Sequence, residues 1–325
     1  MSKSRVTIVG LGLIGGSMGL AIKKSKLDLE VIGHDKNSSV AGRAQKRGAV
    51  DTTKWNLIDA CDGAGLIILA LPVDGIKDTL AALQRHLAPG VIVTDTATTK
   101  APVLDWARNL PDGVNFVGGN PVLRPDKIVK ETGIDAADAD LFRGATYCLT
   151  PSPRSSGHAI DTMSNLATTL GAKPYFIDAA EHDGLMAGVQ HLPAVLATAL
   201  LATITRSQGW REMSRVASAD FHTATGLTPQ SGASGSAEFI AHRADLIRWI
   251  DAVSAELNDL REMIDRKDEA ALKTLVDALA TERDRWLSGR QQDAGASVDL
   301  SAIPAFNPAR LFLGGLVDRT PKPKK

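Results

Sequence analysis

The segment Val6–Ser17, VTIVGLGLIGGS, restricts the fold of this chain more than any other stretch. A short β-branched run at 5–9 leads straight into Gly10, Gly12 and Gly15, the spacing G-x-G-x-x-G, and a helical pattern follows. Strand, glycines and helix in that order suit a dinucleotide pyrophosphate. The first glycine makes a tight turn, the second lets the backbone approach the phosphates, and the third lets the helix pack closely on the strand. Leu13 and Ile14 fall in the first helical turn, whose unpaired N–H groups and positive dipole end face the phosphates. Asp35 ends the next strand, 23 residues beyond Gly12. An acid there accepts hydrogen bonds from the adenosine ribose and repels a 2′-phosphate, so NAD is expected in preference to NADP, although Lys36 and Arg43 follow closely.

Apolar runs at 5–9, 29–34, 65–71 and 90–94 alternate with helical patterns at 15–25, 38–47 and 74–87. Near-continuous apolar strands separated by helices predict an α/β domain, a Rossmann-type doubly wound and mostly parallel sheet. Further strands are expected at 114–118, 145–149 and 174–177, with a helix at 155–170 between the last two. Beyond Asp178 the pattern is helical: a long apolar helix over 183–207, then amphipathic helices over 237–265 and 268–287. The Gly/Ser-rich piece 226–236 reads as a divider. The expected organisation is a dinucleotide-binding domain over 1–178, an all-helical C-terminal domain over 179–288, and an extension over 289–325 with a solvated tail. A helix apolar nearly all round needs more cover than two amphipathic partners provide, which predicts a homodimer through the helical domain.

Charge narrows the partners. Lys+Arg and Asp+Glu both number 37, so no basic excess suits nucleic acid. Two distant cysteines, Cys61 and Cys148, give neither a disulfide framework nor a zinc site, and they fit a reducing, cytoplasmic setting. No metal is expected. The glycine-broken run Val6–Ile22 reads as strand, turn and helix rather than a signal peptide, and no apolar run is read as near spanning length, so no membrane partner is expected.

Ligands of open α/β sheets bind beyond the carboxyl ends of the strands. Two segments fall there: ILALPV at 68–73, with Leu71 and Pro72, and DTATTK at 95–100, with the Thr98 and Thr99 hydroxyls. Pro72 also reads as a plain strand-to-helix turn. With GLGLIGGSMGLAI at 10–22, VGGNP at 117–121, LFRGATYCLTP at 141–151, EHDGLMAGVQHLPAVLATAL at 181–200 and REMSRVAS at 211–218, these blocks resemble the prephenate/arogenate dehydrogenase family over most of residues 5–265. The resemblance implies a Rossmann domain, a helical dimerising domain, and NAD-dependent oxidative decarboxylation of a cyclohexadienyl substrate in tyrosine biosynthesis. It places Arg215 on a substrate carboxylate, His191 at the substrate mouth, and Thr98 where the family usually carries serine. Asn120 departs from the pattern, standing where the family carries its catalytic histidine; an amide orients a hydroxyl and cannot act as its base.

Three readings follow from that departure: a dehydrogenase of prephenate or arogenate, a related enzyme with a changed substrate such as a ring amine, and an NAD-binding protein with impaired catalysis. Structural alternatives stand beside the site residues. His191 reads equally as a core histidine, Arg215 as a partner of Asp220, and His182–Asp183 as the cap of the long helix.

Overall fold

The structure, a computed structural model, describes residues 4–125, 132–229 and 231–288; the expectations for 289–325 and its tail lie outside them. Strands β1 (Ser4–Val9), β2 (Leu29–His34), β3 (Thr52–Thr53), β4 (Leu66–Leu69), β5 (Ile92–Asp95), β6 (Asn115–Val122), β7 (Thr146–Pro151) and β8 (Lys173–Phe176) form one sheet. Its order is β3-β2-β1-β4-β5-β6-β7-β8. The first six strands run parallel, β7 is antiparallel to β6, and β8 is parallel to β7. This is the Rossmann order, with the chain reversing direction at β7.

Helices α1 (Leu13–Lys24), α2 (Ser38–Lys46), α3 (Leu57–Cys61), α4 (Val73–Leu83), α5 (Ala101–Ala107) and α6 (Gly157–Thr169) flank the sheet. Strand alternation divides the core into two layers. Ile8, Val31 and Ile68 pack with Met18 and Ile22 of α1 and Met163 and Leu166 of α6. Val9, Ile67 and Leu69 point the other way, to Ile76, Leu80 and Leu83 of α4 and Val103 of α5. Asparagine side chains start two of these helices: Asn37 accepts from the Ser39 and Val40 N–H groups, and Asn56 from Ile58 and Asp59. The short β3 and α3 escaped the sequence reading because two residues and one turn carry too little periodicity.

Beyond the sheet come α7 (Ala179–Met186), α8 (Leu192–Thr205), α9 (Trp210–Val216), α10 (Ala219–Thr225) and α11 (Gly232–Ala241), in the same compact unit as the sheet, which ends at His242. A second unit contains α12 (Arg243–Asp265) and α13 (Glu269–Leu287), which pack on each other.

Four sequence expectations change. The single helix over 183–207 is two helices joined by a wide π-turn at Ala187–His191. Pro193 opens α8; its ring and missing N–H disfavour a regular turn before it. The piece at 226–236 is no mere divider, because α11 begins at Gly232, and the helix expected over 237–265 is broken at His242. Finally, Ala179–Thr205 taken as one stretch holds an 18-residue run of mean hydropathy 1.6, long and apolar enough by length and composition to cross a membrane. The stretch has a buried end, where His182 meets Asn120 on β6 and Asp183 reaches Lys100 and Ala101 after β5. It also has outward apolar residues, including Leu185, Val189, Leu196 and Leu200.

Candidate functional site

The glycines of the first turn have separable causes. Gly10 adopts φ +91°, and a Cβ there would stand 2.3 Å from the Ala70 carbonyl oxygen. A Cβ on Gly15 would stand 1.9 Å from the Gly10 oxygen, so this glycine lets α1 close on its own turn. Gly12 is different: a Cβ there meets nothing within 4 Å. Packing within the chain therefore does not require glycine at 12, and the open space fits the close approach of a pyrophosphate.

Gly12 is the N-cap of α1 without a side-chain cap, and no acid lies in the first turn, so the N–H groups are left for an anion. Leu13 and Ile14 are half-buried against the core. The Asp35 carboxylate accepts the Leu11 N–H at 2.9 Å and the Asn37 N–H at 2.8 Å, tying the glycine turn to the end of β2. Leu71 is half-buried beside Gly10. Pro72 is exposed and is the N-cap of α4, the strand-to-helix turn the sequence allowed. The next two residues of the motif have another purpose. Gly16 leaves room for Ile134, and Ser17 Oγ accepts the Asp138 N–H at 2.9 Å, fastening the β6–β7 connection over α1.

A second constellation forms at the carboxyl ends of β5 and β6. Lys100 and Asp95 make an ion pair with both side chains fully buried. Lys100 Nζ also donates to the Gly119 carbonyl at 2.7 Å, and Asp95 accepts the N–H groups of Ala97 at 2.9 Å and Gly119 at 3.2 Å. The pair thus grips both backbone groups of the residue before Asn120. Burial pulls the Lys100 ammonium below its ordinary range, and Asp95 opposes that shift.

Asp183 reaches across from α7. It accepts the Lys100 N–H at 2.6 Å, the Ala101 N–H at 2.8 Å and the Thr99 hydroxyl at 3.3 Å. Burial raises the pKa of this carboxyl, but the hydrogen bonds from His182, Ala101 and Lys100 outweigh burial and hold it below the usual carboxylate range. His182, fully buried, places Nδ1 2.9 Å from Asp183 and Nε2 3.0 Å from Asn120 Nδ2.

The expectation that His182–Asp183 caps the long helix is therefore wrong. Asp178 caps α7, while Asp183 caps α5 and His182 meets Asn120. The sequence held these residues in view without a signal for their target, since the partners lie 62 to 84 residues away. Asp95 and Lys100 both lie in DTATTK, where nothing local marks them as a buried pair.

His191 sits in the π-turn with its ring stacked on His242, centroids 4.1 Å apart, and Nδ1 3.8 Å from Glu238. Burial and His242 push its pKa down to about 4, against smaller opposing effects of the Thr98 backbone and Asp183. His191 is thus a neutral imidazole close to Thr98 and the His182–Asp183 pair. Its Nε2 is buried with no hydrogen-bond partner among the described residues.

Arg215 does not join this group through any side-chain hydrogen bond or ion pair among the described residues. It is exposed on α9, and the pair with Asp220 does not form there. A cavity of about 510 Å³ beside α5, lined by Leu104, Val114, Phe116, Pro151 and Arg154, contains none of the sequence-derived site residues.

Two sequence profiles match the chain: prephenate dehydrogenase, nucleotide-binding domain, over residues 18–176, and prephenate dehydrogenase, dimerization domain, over 178–279. A prephenate dehydrogenase of Bacillus subtilis is 30% identical over 312 residues, covering 94% of this chain and 79% of that protein. The chain belongs to the prephenate dehydrogenase family. Members of this family are oxidoreductases, and so is this chain. The cyclohexadienyl dehydrogenase of Zymomonas mobilis is 28% identical, with 81% of this chain and 89% of that protein covered. The crystal structure of Synechocystis arogenate dehydrogenase superposes with TM-score 0.71 at 27% identity, covering 87% of this chain and 99% of that one. Prephenate dehydrogenase from Aquifex aeolicus, in complex with hydroxyphenyl propionate and NAD+, shares the fold with TM-score 0.78 at 22% identity, covering 88% and 99%.

Proposed function

We propose that the chain catalyses the NAD-dependent oxidative decarboxylation of prephenate or arogenate, in the cytoplasm and in the service of tyrosine biosynthesis. The observation that carries this reading is the juxtaposition of two preparations at the carboxyl edge of one sheet. One is the glycine cradle with its open space at Gly12; the other is the polar constellation around Asn120, Thr98 and His191. Family membership and the Aquifex aeolicus complex support NAD as the cofactor. When bound, NAD supplies the hydride acceptor.

The chain's own residues do the rest. Gly10, Gly12, Gly15 and the first turn at Leu13 and Ile14 hold the pyrophosphate; Asp35 binds the ribose, and Leu71 and Pro72 line the cofactor's path. Arg215, exposed and without a protein partner among the described residues, offers its planar fork to a substrate carboxylate. Asn120 accepts a hydrogen bond from the group on the reacting carbon, Thr98 supplies a hydroxyl, and neutral His191 borders the substrate mouth. Loss of carbon dioxide aromatises the ring, so alignment supplies much of what the reaction needs from the protein.

A second reading is favoured by one observation, the amide at position 120. A neutral ring amine donates its own lone pair as the hydride departs and needs no base, so an acceptor such as Asn120 Oδ1 suits an amino substituent. A homodimer through the 179–288 region is part of the proposal; the dimerization-domain match and the outward apolar residues of α7 and α8 support it. Spectrophotometric assay of NADH formation with prephenate, arogenate and their ring-amine analogue tests the proposal. Turnover of either alcohol supports the first reading and turnover of the amine alone the second. NAD binding without turnover of any of the three would refute both and leave a binding protein.

A further inference from the structure

Asn120 is 3% exposed, and its amide nitrogen is committed inward. Asp183, an acceptor held ionised by backbone N–H groups, requires a proton on His182 Nδ1. In the neutral ring, Nε2 is then a bare acceptor, and the group facing it at 3.0 Å must donate. Among the described residues no group donates to Asn120 Oδ1, and that atom is absent from the fully enclosed, unpaired polar atoms.

We propose that His182 and Asp183 are positioning residues that lock the amide of Asn120, nitrogen inward and oxygen outward, as a fixed acceptor for the donor on the substrate's reacting carbon. The proposal rests on the functional reading above for its substrate and on the protein alone for its geometry. A neutral amide left unanchored flips between two near-isosteric states, one presenting oxygen and the other an N–H that repels an O–H or N–H donor. The chain Asp183–His182–Asn120 removes that ambiguity. The ion pair of Asp95 and Lys100 fixes the backbone of Gly119 just before it, so both the main chain and the side chain at 120 are set in advance.

Two measurements test this. In the native protein, nitrogen-15 labelling of histidine reports the His182 tautomer without any substrate. The expected result is a neutral ring protonated at Nδ1. An imidazolium would turn the Asn120 oxygen inward and overturn the proposal, as would a ring protonated at Nε2. In turnover, His182→Leu should lower kcat/KM by about tenfold, the cost of one unsecured hydrogen bond, while the NAD dissociation constant stays within about twofold. His182→Gln, which keeps a donor and an acceptor, should restore part of the loss. In an Asn120→Ala background, His182→Leu should cost less than about twofold more, because the amide it positions is gone. Full additivity of the two substitutions would show a merely structural histidine and overturn the proposal. If none of the three substrates turns over and the Nδ1–H tautomer is present, the functional reading fails and the dyad stands.

Discussion

Replacing Asn120 with histidine tests whether a missing base limits this enzyme. In the native site Asn120 Nδ2 donates to His182 Nε2 at 3.0 Å. An imidazole at 120 makes the same donation with one nitrogen and turns the other outward as a proton acceptor, in the place of Oδ1. The ring is larger than the amide, and the site is closed on the sheet side by Cys148, which pairs with Asn120 across β6 and β7. Overpacking of that kind costs about 1–3 kcal/mol, so a lower melting temperature is expected. The gain is on the rate. A positioned general base contributes about 10²–10⁴-fold, or about 3–5 kcal/mol of barrier. With prephenate or arogenate, Asn120→His should therefore raise kcat and introduce a rise with pH through the ordinary histidine range, about 6.5. The assay is a side-by-side pH–rate profile of the two proteins, with NADH followed at saturating substrate. No increase in kcat at any pH between about 6 and 9 would refute the missing-base argument and favour the ring amine, whose lone pair makes a base superfluous.

Gly12 and Gly15 should respond oppositely. Gly12→Ala, whose Cβ enters open space at an unstrained φ of −71°, should cost no more than about 1 kcal/mol, the difference in N-cap preference, yet weaken NAD binding at least about tenfold, read by titration calorimetry. Gly15→Ala, whose Cβ meets a carbonyl oxygen at 1.9 Å, should cost about 3 kcal/mol or more in denaturant unfolding. His191, held neutral with a pKa near 4 in the fold, leaves the unfolded chain to bind the proton first as pH falls. Stability should then drop by up to about 3 kcal/mol between pH about 6.5 and 4, and His191→Gln should flatten that slope in a pH series of unfolding curves. Arg215→Ala should raise the substrate KM about 30-fold or more and leave the NAD KM within about twofold; equal losses for both ligands would make Arg215 structural.

The nucleotide half is legible in the residues alone. Strand, glycines, helix and acid are local features with fixed spacing, so Val6–Asp35 announces its geometry, and the alternating apolar runs announce the sheet that carries it. The sequence also carries the family resemblance and singles out Asn120 as the residue out of pattern. What Asn120 is bonded to follows from packing. Asp183 and His182 lie on α7, 83 and 62 residues from Lys100 and Asn120, and no periodicity connects a helix to a strand end at that range. The pattern shows the helix and an acid near its start, but that acid caps a different helix. A carboxylate serves whichever free N–H groups packing brings to it, and here those belong to α5. The wide turn at His191 has the same origin. Pro193 is visible in the sequence, but the displacement it causes, which lays the imidazole against Thr98 and His242, exists only once α7 and α8 are packed.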